Sequence, residues 1–271
     1  MIEARDTEAK AAKGGTSGRD FWPDDKPGSR GPKPKLLFGV VAALVAVVLA
    51  VVAAVVLTGG DDGGEKAAGT SNGPGVLPVA YTPQMADKAM VKLAKRTADP
   101  RPVTQDEVFP ADAKAVKYRT YAFSLAASQV SDDCVGVTWG QRLRGDLAKY
   151  GCTQVARGSY VSQDKRHLGQ IAVLNMVDEN GAEQIVRDLD PATNAGFVLP
   201  LNATGQPAFG KGFSAAYSQV YGHYVIITWV QRAGGVQPAS LNEMIDASLA
   251  IEKPADFVWG RLELVPTRRT Q

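Results

Sequence analysis

Cys134 and Cys152 are the only thiols in this chain of 271 residues, and His167 and His223 are its only histidines. An ordinary structural zinc centre takes four Cys or His ligands, so one would need all four of these residues to meet with none to spare, and none is expected. Two thiols can form a structural disulfide, or a redox couple when they lie close together with one activated as thiolate. The wide spacing here favours the first. A straight helix over 134–152 would hold the two α-carbons about 27 Å apart at about 1.5 Å per residue. A disulfide needs less than about 7 Å. The chain must therefore turn back between them, with Gly140 as the natural break and a helix at 141–150.

His167 and His223 fall at hairpin positions, where exposed polar residues are expected. A metal site there would need both hairpin tips to meet, with carboxylates added. Nucleophilic catalysis needs a hydroxyl or thiol beside a positioned base, and Ser159 and Ser214 lie in predicted strands with no motif around them. Gly210-Lys211-Gly212 has the wrong spacing for a phosphate-cradling loop and leads into a strand, not a helix. Asp132 and Asp133 read as caps of the turn before Cys134, while Asp188 and Asp190 flank a helix end. Trp139 and Trp229 read as core, with Trp259 closing over the sheet edge. No catalytic, cofactor-binding or metal-binding residue is expected, and one pair is assigned, Cys134 with Cys152.

Charge and hydropathy bear on the compartment. A net charge of +2 lacks the basic field that nucleic-acid binders carry, so no nucleic-acid partner is expected. Residues 36–57 contain no polar side chain. They reach about 33 Å as a helix, enough for a hydrocarbon core of about 30 Å. This predicts a transmembrane helix over 36–58, too long and too far from the start for a cleaved signal peptide. Lys26, Arg30, Lys33 and Lys35 precede the run, and Asp61, Asp62 and Glu65 follow it. The positive-inside rule then places the N-terminus in the cytoplasm and the C-terminal domain outside, a single-pass protein of the plasma membrane. Disulfides persist on that side, so Cys134 should pair with Cys152 within one chain. Ala42, Ala46, Ala50 and Ala54 share one face of the span and could support a weak homodimer.

The elements that position these residues follow from pattern. Residues 1–35 lack the apolar content to fold and read as a disordered cytoplasmic tail, and 59–80 as a flexible Gly-rich linker. An extracytoplasmic domain over 81–265 remains. Thr82-Pro83 reads as the start of a helix to Arg96, and Lys117–Ala127 as a strand. A helix ending at Gly151 comes next. Thr153–Val161 and His167–Met176 form a hairpin, as do Phe213–Val220 and Tyr224–Val230. Asp178 and Ser240 cap two amphipathic helices. The expected fold is α+β and two-layered: a mostly antiparallel sheet with helices on one face, ferredoxin-like in the order of its core, preceded by one transmembrane helix.

Asp133-Cys134, Trp139-Gly140, Leu143, Leu147, Gly151-Cys152-Thr153-Gln154, Arg157 and Tyr160-Val161 form a pattern, with the Ala/Val/Gly-rich span before it. In these the chain resembles the uncharacterised single-pass membrane proteins of high-GC Gram-positive (actinobacterial-type) bacteria, over the span and residues 118–190. The resemblance implies a location and a domain size and brings no catalytic residue. The function expected is a membrane-anchored, non-catalytic binding or interaction domain of the cell envelope, with other envelope proteins as partners and no cofactor. The alternatives are an envelope-acting enzyme without a motif and a small-ligand sensor. A deep pocket with converging polar groups and perturbed carboxylates would favour the enzyme, and a shallow apolar patch the interaction domain.

Overall fold

The chain divides into two compact units, residues 1–68 and 69–271. The computed structural model describes residues 75–266, which lie in the second. Nine strands form among the described residues: β1 (Ala80–Gln84), β2 (Ala115–Tyr118), β3 (Tyr121–Ser131), β4 (Thr138–Trp139), β5 (Gln154–Ser162), β6 (His167–Asn175), β7 (Phe197–Val198), β8 (Ser214–Tyr221) and β9 (Tyr224–Arg232). The α-helices are α1 (Gln105–Val108), α2 (Gln141–Lys149), α3 (Glu179–Asp188), α4 (Leu241–Ala250) and α5 (Phe257–Leu264). Seven strands make one curled sheet in the order β1-β8-β9-β6-β5-β3-β2, while β4 and β7 pair apart from it. All neighbours in the large sheet are antiparallel except β1, which runs parallel to β8.

The fold is α+β, but the two-layer arrangement is wrong. Both faces of the sheet are covered. Leu143 and Leu147 of α2 and Ile185 and Val186 of α3 pack on Val155, Leu174 and Val225. On the other face Met244 and Ala247 of α4 and Val258 of α5 pack with Phe123, Tyr160 and Ile226. All nine residues of β6 are buried. Reading alternation as one wet face failed because the polar positions of the central strands are buried too, under helices and a long loop.

The ferredoxin-like order is also overturned. That topology would carry the chain over the sheet and slot later strands between earlier ones. Here β3 pairs directly with β5, β5 with β6, and β6 with β9. The connection through α2 returns the chain to its nearest neighbour. Cys134 and Cys152 staple that return, with their α-carbons 6.3 Å apart. The last β3–β5 pair is Ser131 with Val155, and each cysteine lies three residues further out on the same antiparallel register. The helix begins at Gln141 after Gly140, where the break was expected. Gly140 has φ +92°, and a Cβ there would meet the Ala195 carbonyl oxygen at 2.1 Å, so no other residue fits without a backbone shift.

Two elements differ from their patterns. The helix expected from Thr82 is strand β1, because at a sheet edge the missing N–H of Pro83 costs little. The single strand expected over Lys117–Ala127 is split into β2 and β3 by a turn at Arg119, whose φ is +52°. Asp178 and Ser240 do cap α3 and α4, accepting from the N–H groups of Gly181 and Glu243.

The membrane-spanning part of the expected fold and the single-pass plasma-membrane localisation are corrected as well. Among the described residues no helix is long and apolar enough to cross a membrane. The longest, α3 and α4, have ten residues each. That is about 15 Å of helix, half the hydrocarbon core. The expected span over 36–58, its alanine row, the tail and most of the linker lie outside the described residues.

Candidate functional site

Most of the sheet's α2/α3 face is apolar, but one region of it is polar. Arg157 and Ser159 of β5, Gln170 of β6, Ser214 of β8 and Gln231 of β9 share this face and are all buried. Trp229 lies among them, donating from its indole Nε1 to Ser214 Oγ at 3.0 Å. Burying so many polar groups is costly unless each finds a partner. The serines pair within the floor, with Gln170 and Trp229, while Arg157, Gln170 and Gln231 find partners in residues 199–213, the irregular segment between β7 and β8, which runs across this floor as a strap.

The strap is held by its backbone. Gln170 accepts from the Leu201 N–H at 2.9 Å and donates to the Leu201 carbonyl at 3.2 Å. Gln231 does the same at Gly210, accepting at 2.9 Å and donating at 2.7 Å. One carboxamide thus meets both polar groups of one residue, as a neighbouring strand would, and reads no side chain. Arg157 donates to the Leu199 carbonyl at 3.0 Å and to Gln129 Oε1 at 2.6 Å. Strap residue Phe209 packs on Trp229 with ring centroids 4.5 Å apart, and Phe197 takes the opposite approach at 4.8 Å. Between these anchors residues 204–208 are exposed.

Arg157 is the electrostatic peculiarity of the floor. It is 8% exposed, its Nε has no hydrogen-bond partner, and it forms no ion pair among the described residues. Burial alone pulls its guanidinium below the usual arginine range.

Several side chains weighed for chemistry meet here. Ser159 accepts from Gln170 at 3.2 Å, Ser214 accepts from Trp229, and Gly210-Lys211-Gly212 lies in the strap. Neither serine faces a histidine or carboxylate, so neither is an activated nucleophile. The glutamines and Arg157 had no local motif to mark them. Their one signal was polar residues on matching alternate positions of three neighbouring strands, legible only once strand order is known.

The histidines are buried rather than exposed, and they are far apart. His167 and His223 stand at opposite ends of the fully paired β6–β9 ribbon. Eight strand residues correspond to about 26 Å, which rules out a shared metal. His223 directs Nδ1 to the Leu93 carbonyl at 2.7 Å. His167 Nε2 meets Glu243 Oε1 at 2.7 Å beside Arg232, in a cleft of about 470 Å³. Burial opposes ionisation of Glu243, but the His167 and Ala239 hydrogen bonds and the Arg232 charge outweigh it and hold its carboxyl below the ordinary range. That pair is closed on itself. It pins α4 to the sheet.

The aspartates keep structural roles. Asp133 caps the Gly136 N–H and Asp190 the Ala192 N–H. Asp132 accepts from Gln154 at 3.4 Å. Asp188, fully buried, pairs with Arg142 at 2.9 Å, and burial with nearby Asp146 pushes its carboxyl up. Trp229 is core; Trp139 is only half-buried. Trp259 is 47% exposed, its ring 6.2 Å from Tyr221. Leu241, Ile245 and Leu249, one face of α4, are exposed too. No group of three or more His, Cys, Asp or Glu suited to a metal ion occurs among the described residues. No family model matches this chain, and no match to it is found among curated proteins or solved structures.

Proposed function

We propose that this chain is a non-catalytic binding domain that takes an extended polypeptide segment onto the sheet floor now covered by residues 199–213. One observation carries the reading: Gln170 and Gln231 each bind the N–H and the C=O of a single backbone residue. Such clasps fit any extended chain of suitable length, so the strap occupies the floor in the manner of a peptide ligand. Exchange of one backbone for another leaves the hydrogen bonds nearly balanced, because each is worth only about 0.5–1.5 kcal/mol net. The incoming segment competes with a tethered one whose effective concentration is on the order of millimolar. Binding therefore needs a loosened strap or an added contact.

Phe209→Ala loosens the strap from its own side and leaves every floor residue in place. In the full chain carrying this change, a synthetic peptide copying residues 199–213 should bind saturably and shift the Trp229 indole resonance. Tight retention of the strap with no peptide response would overturn the reading.

A further inference from the structure

We infer that Arg157 is a carboxylate-recognition point on this floor, so that the segment bound there carries an anionic group where the strap now offers only the Leu199 carbonyl. The inference rests on the peptide-binding reading and adds the charge of the ligand.

Two buried arginines in one domain make the argument. Arg261 is 1% exposed and meets Asp99 and Glu107, with further bonds to Tyr224 Oη and the carbonyls of Arg101 and Pro102. Its charge is compensated and every N–H direction is used. Arg157 is buried nearly as far but has two neutral acceptors and an unused Nε. A buried charge without a counter-charge costs several kcal/mol. Packing alone would have favoured an apolar residue or a glutamine at this position, as at Gln170 beside it.

The geometry says what would complete it. Nε and the terminal nitrogens of a guanidinium form a fork that matches the two oxygens of a carboxylate. The cavity that Arg157 lines together with Val198, Leu199, Pro200 and Trp229 holds about 10 Å³, close to the room one water needs. No organic group fits while the strap is down. Displacing Leu199 and Pro200 opens the place beside Arg157 and removes one of its two acceptors at once. Strap release and anion capture are thus one event, and the ion pair supplies the added contact that a competitor of the strap requires. Burial already weakens the hold of the guanidinium on its proton, and a carboxylate would reverse that.

The test uses the isotope-labelled full chain with Phe209→Ala and four peptides with acetylated N-termini. One copies residues 197–203 with an amidated end, and the second is the same with aspartate in the place of Leu199. The third copies residues 197–199 with a free carboxylate, and the fourth is its amide. Binding is read from the Arg157 Nε–Hε and Trp229 Nε1–Hε1 resonances. The aspartate peptide, the free-carboxylate peptide or both should bind about tenfold more tightly than the neutral counterpart, given what a charged hydrogen bond adds. Which of the two gains identifies a side chain or a chain end as the source. Arg157→Gln should erase the preference, so that charged and neutral peptides bind that variant alike. If that variant does not fold, the charge preference and the Arg157 shift in the Phe209→Ala chain decide alone. Equal binding of charged and neutral peptides would overturn this inference and leave peptide binding standing. Binding of none would overturn both.

Discussion

Arg261 and Arg157 are buried to similar depth and should respond differently to loss. Removing Arg261 leaves Glu107 without its cation and the interior Asp99 with Arg101 alone. Arg261→Met should therefore lower stability by about 3–5 kcal/mol in urea unfolding. Arg157→Met should cost markedly less, because its partners are neutral. Two pH windows can be separated in the same measurement. Burial opposes ionisation of Asp99, but Arg101, Arg261 and Tyr224 outweigh it and hold its carboxyl below the usual value. Its contribution is complete above about pH 3.9 and is lost as pH falls through the lower folded value. Burial, by contrast, depresses the His223 pKa, with its Nε2 unpartnered and Nδ1–H on Leu93. The folded state then binds fewer protons, so stability is full above about pH 6.5 and declines below it. His223→Asn, which can still donate to Leu93, should remove the decline near neutrality. Asp99→Asn should flatten the acid limb and, because the Asp99 charge partly offsets the depression at His223, leave the decline near neutrality no shallower.

The connection β3–α2–β5 was the element most legible in the sequence. Two cysteines that had to approach, and a glycine between them able to break the helix, located the return of the chain. Replacing both Cys134 and Cys152 by serine should lower stability by about 3 kcal/mol, by closing-loop entropy, as denaturant unfolding would measure. The two long hairpins and helices α3 and α4 were legible for a similar reason, since each is bounded by local turn or cap chemistry. Strand β1 was not. Pro83 reads as a helix start until an edge position is known, and that position depends on β8 lying 130 residues later. Arg119 hid a turn inside what looked like one strand, because no glycine or asparagine marks its positive φ. Ser159, Ser214, Gln170 and Gln231 were visible as polar strand residues, but their convergence depends on strand order, which no single segment encodes.

Over the whole unit, both faces of the sheet are covered, largely by helices, while residues 199–213 cover the polar floor, and this sets up an uneven distribution of stability. The helices bury apolar stripes against β5, β6 and β9. The strap buries chiefly Phe209 and relies on side-chain clasps at Leu199, Leu201 and Gly210. Regions with few apolar contacts open at low free energy, without global unfolding. The charge contrast of the two arginines has the same layout: the compensated one ties α5 to the body, and the uncompensated one sits beneath the removable cover. The central claim is that the strap leaves the floor while the sheet stays intact. Native-state hydrogen exchange tests it most directly, by comparing the Leu201 and Gly210 amides with those of Ile171 and Ile227 in the central strands. The account predicts that the strap amides exchange orders of magnitude faster, through an opening insensitive to low denaturant, and faster still in Phe209→Ala. Exchange of strap and central-strand amides at one rate, with one shared denaturant dependence, would contradict it.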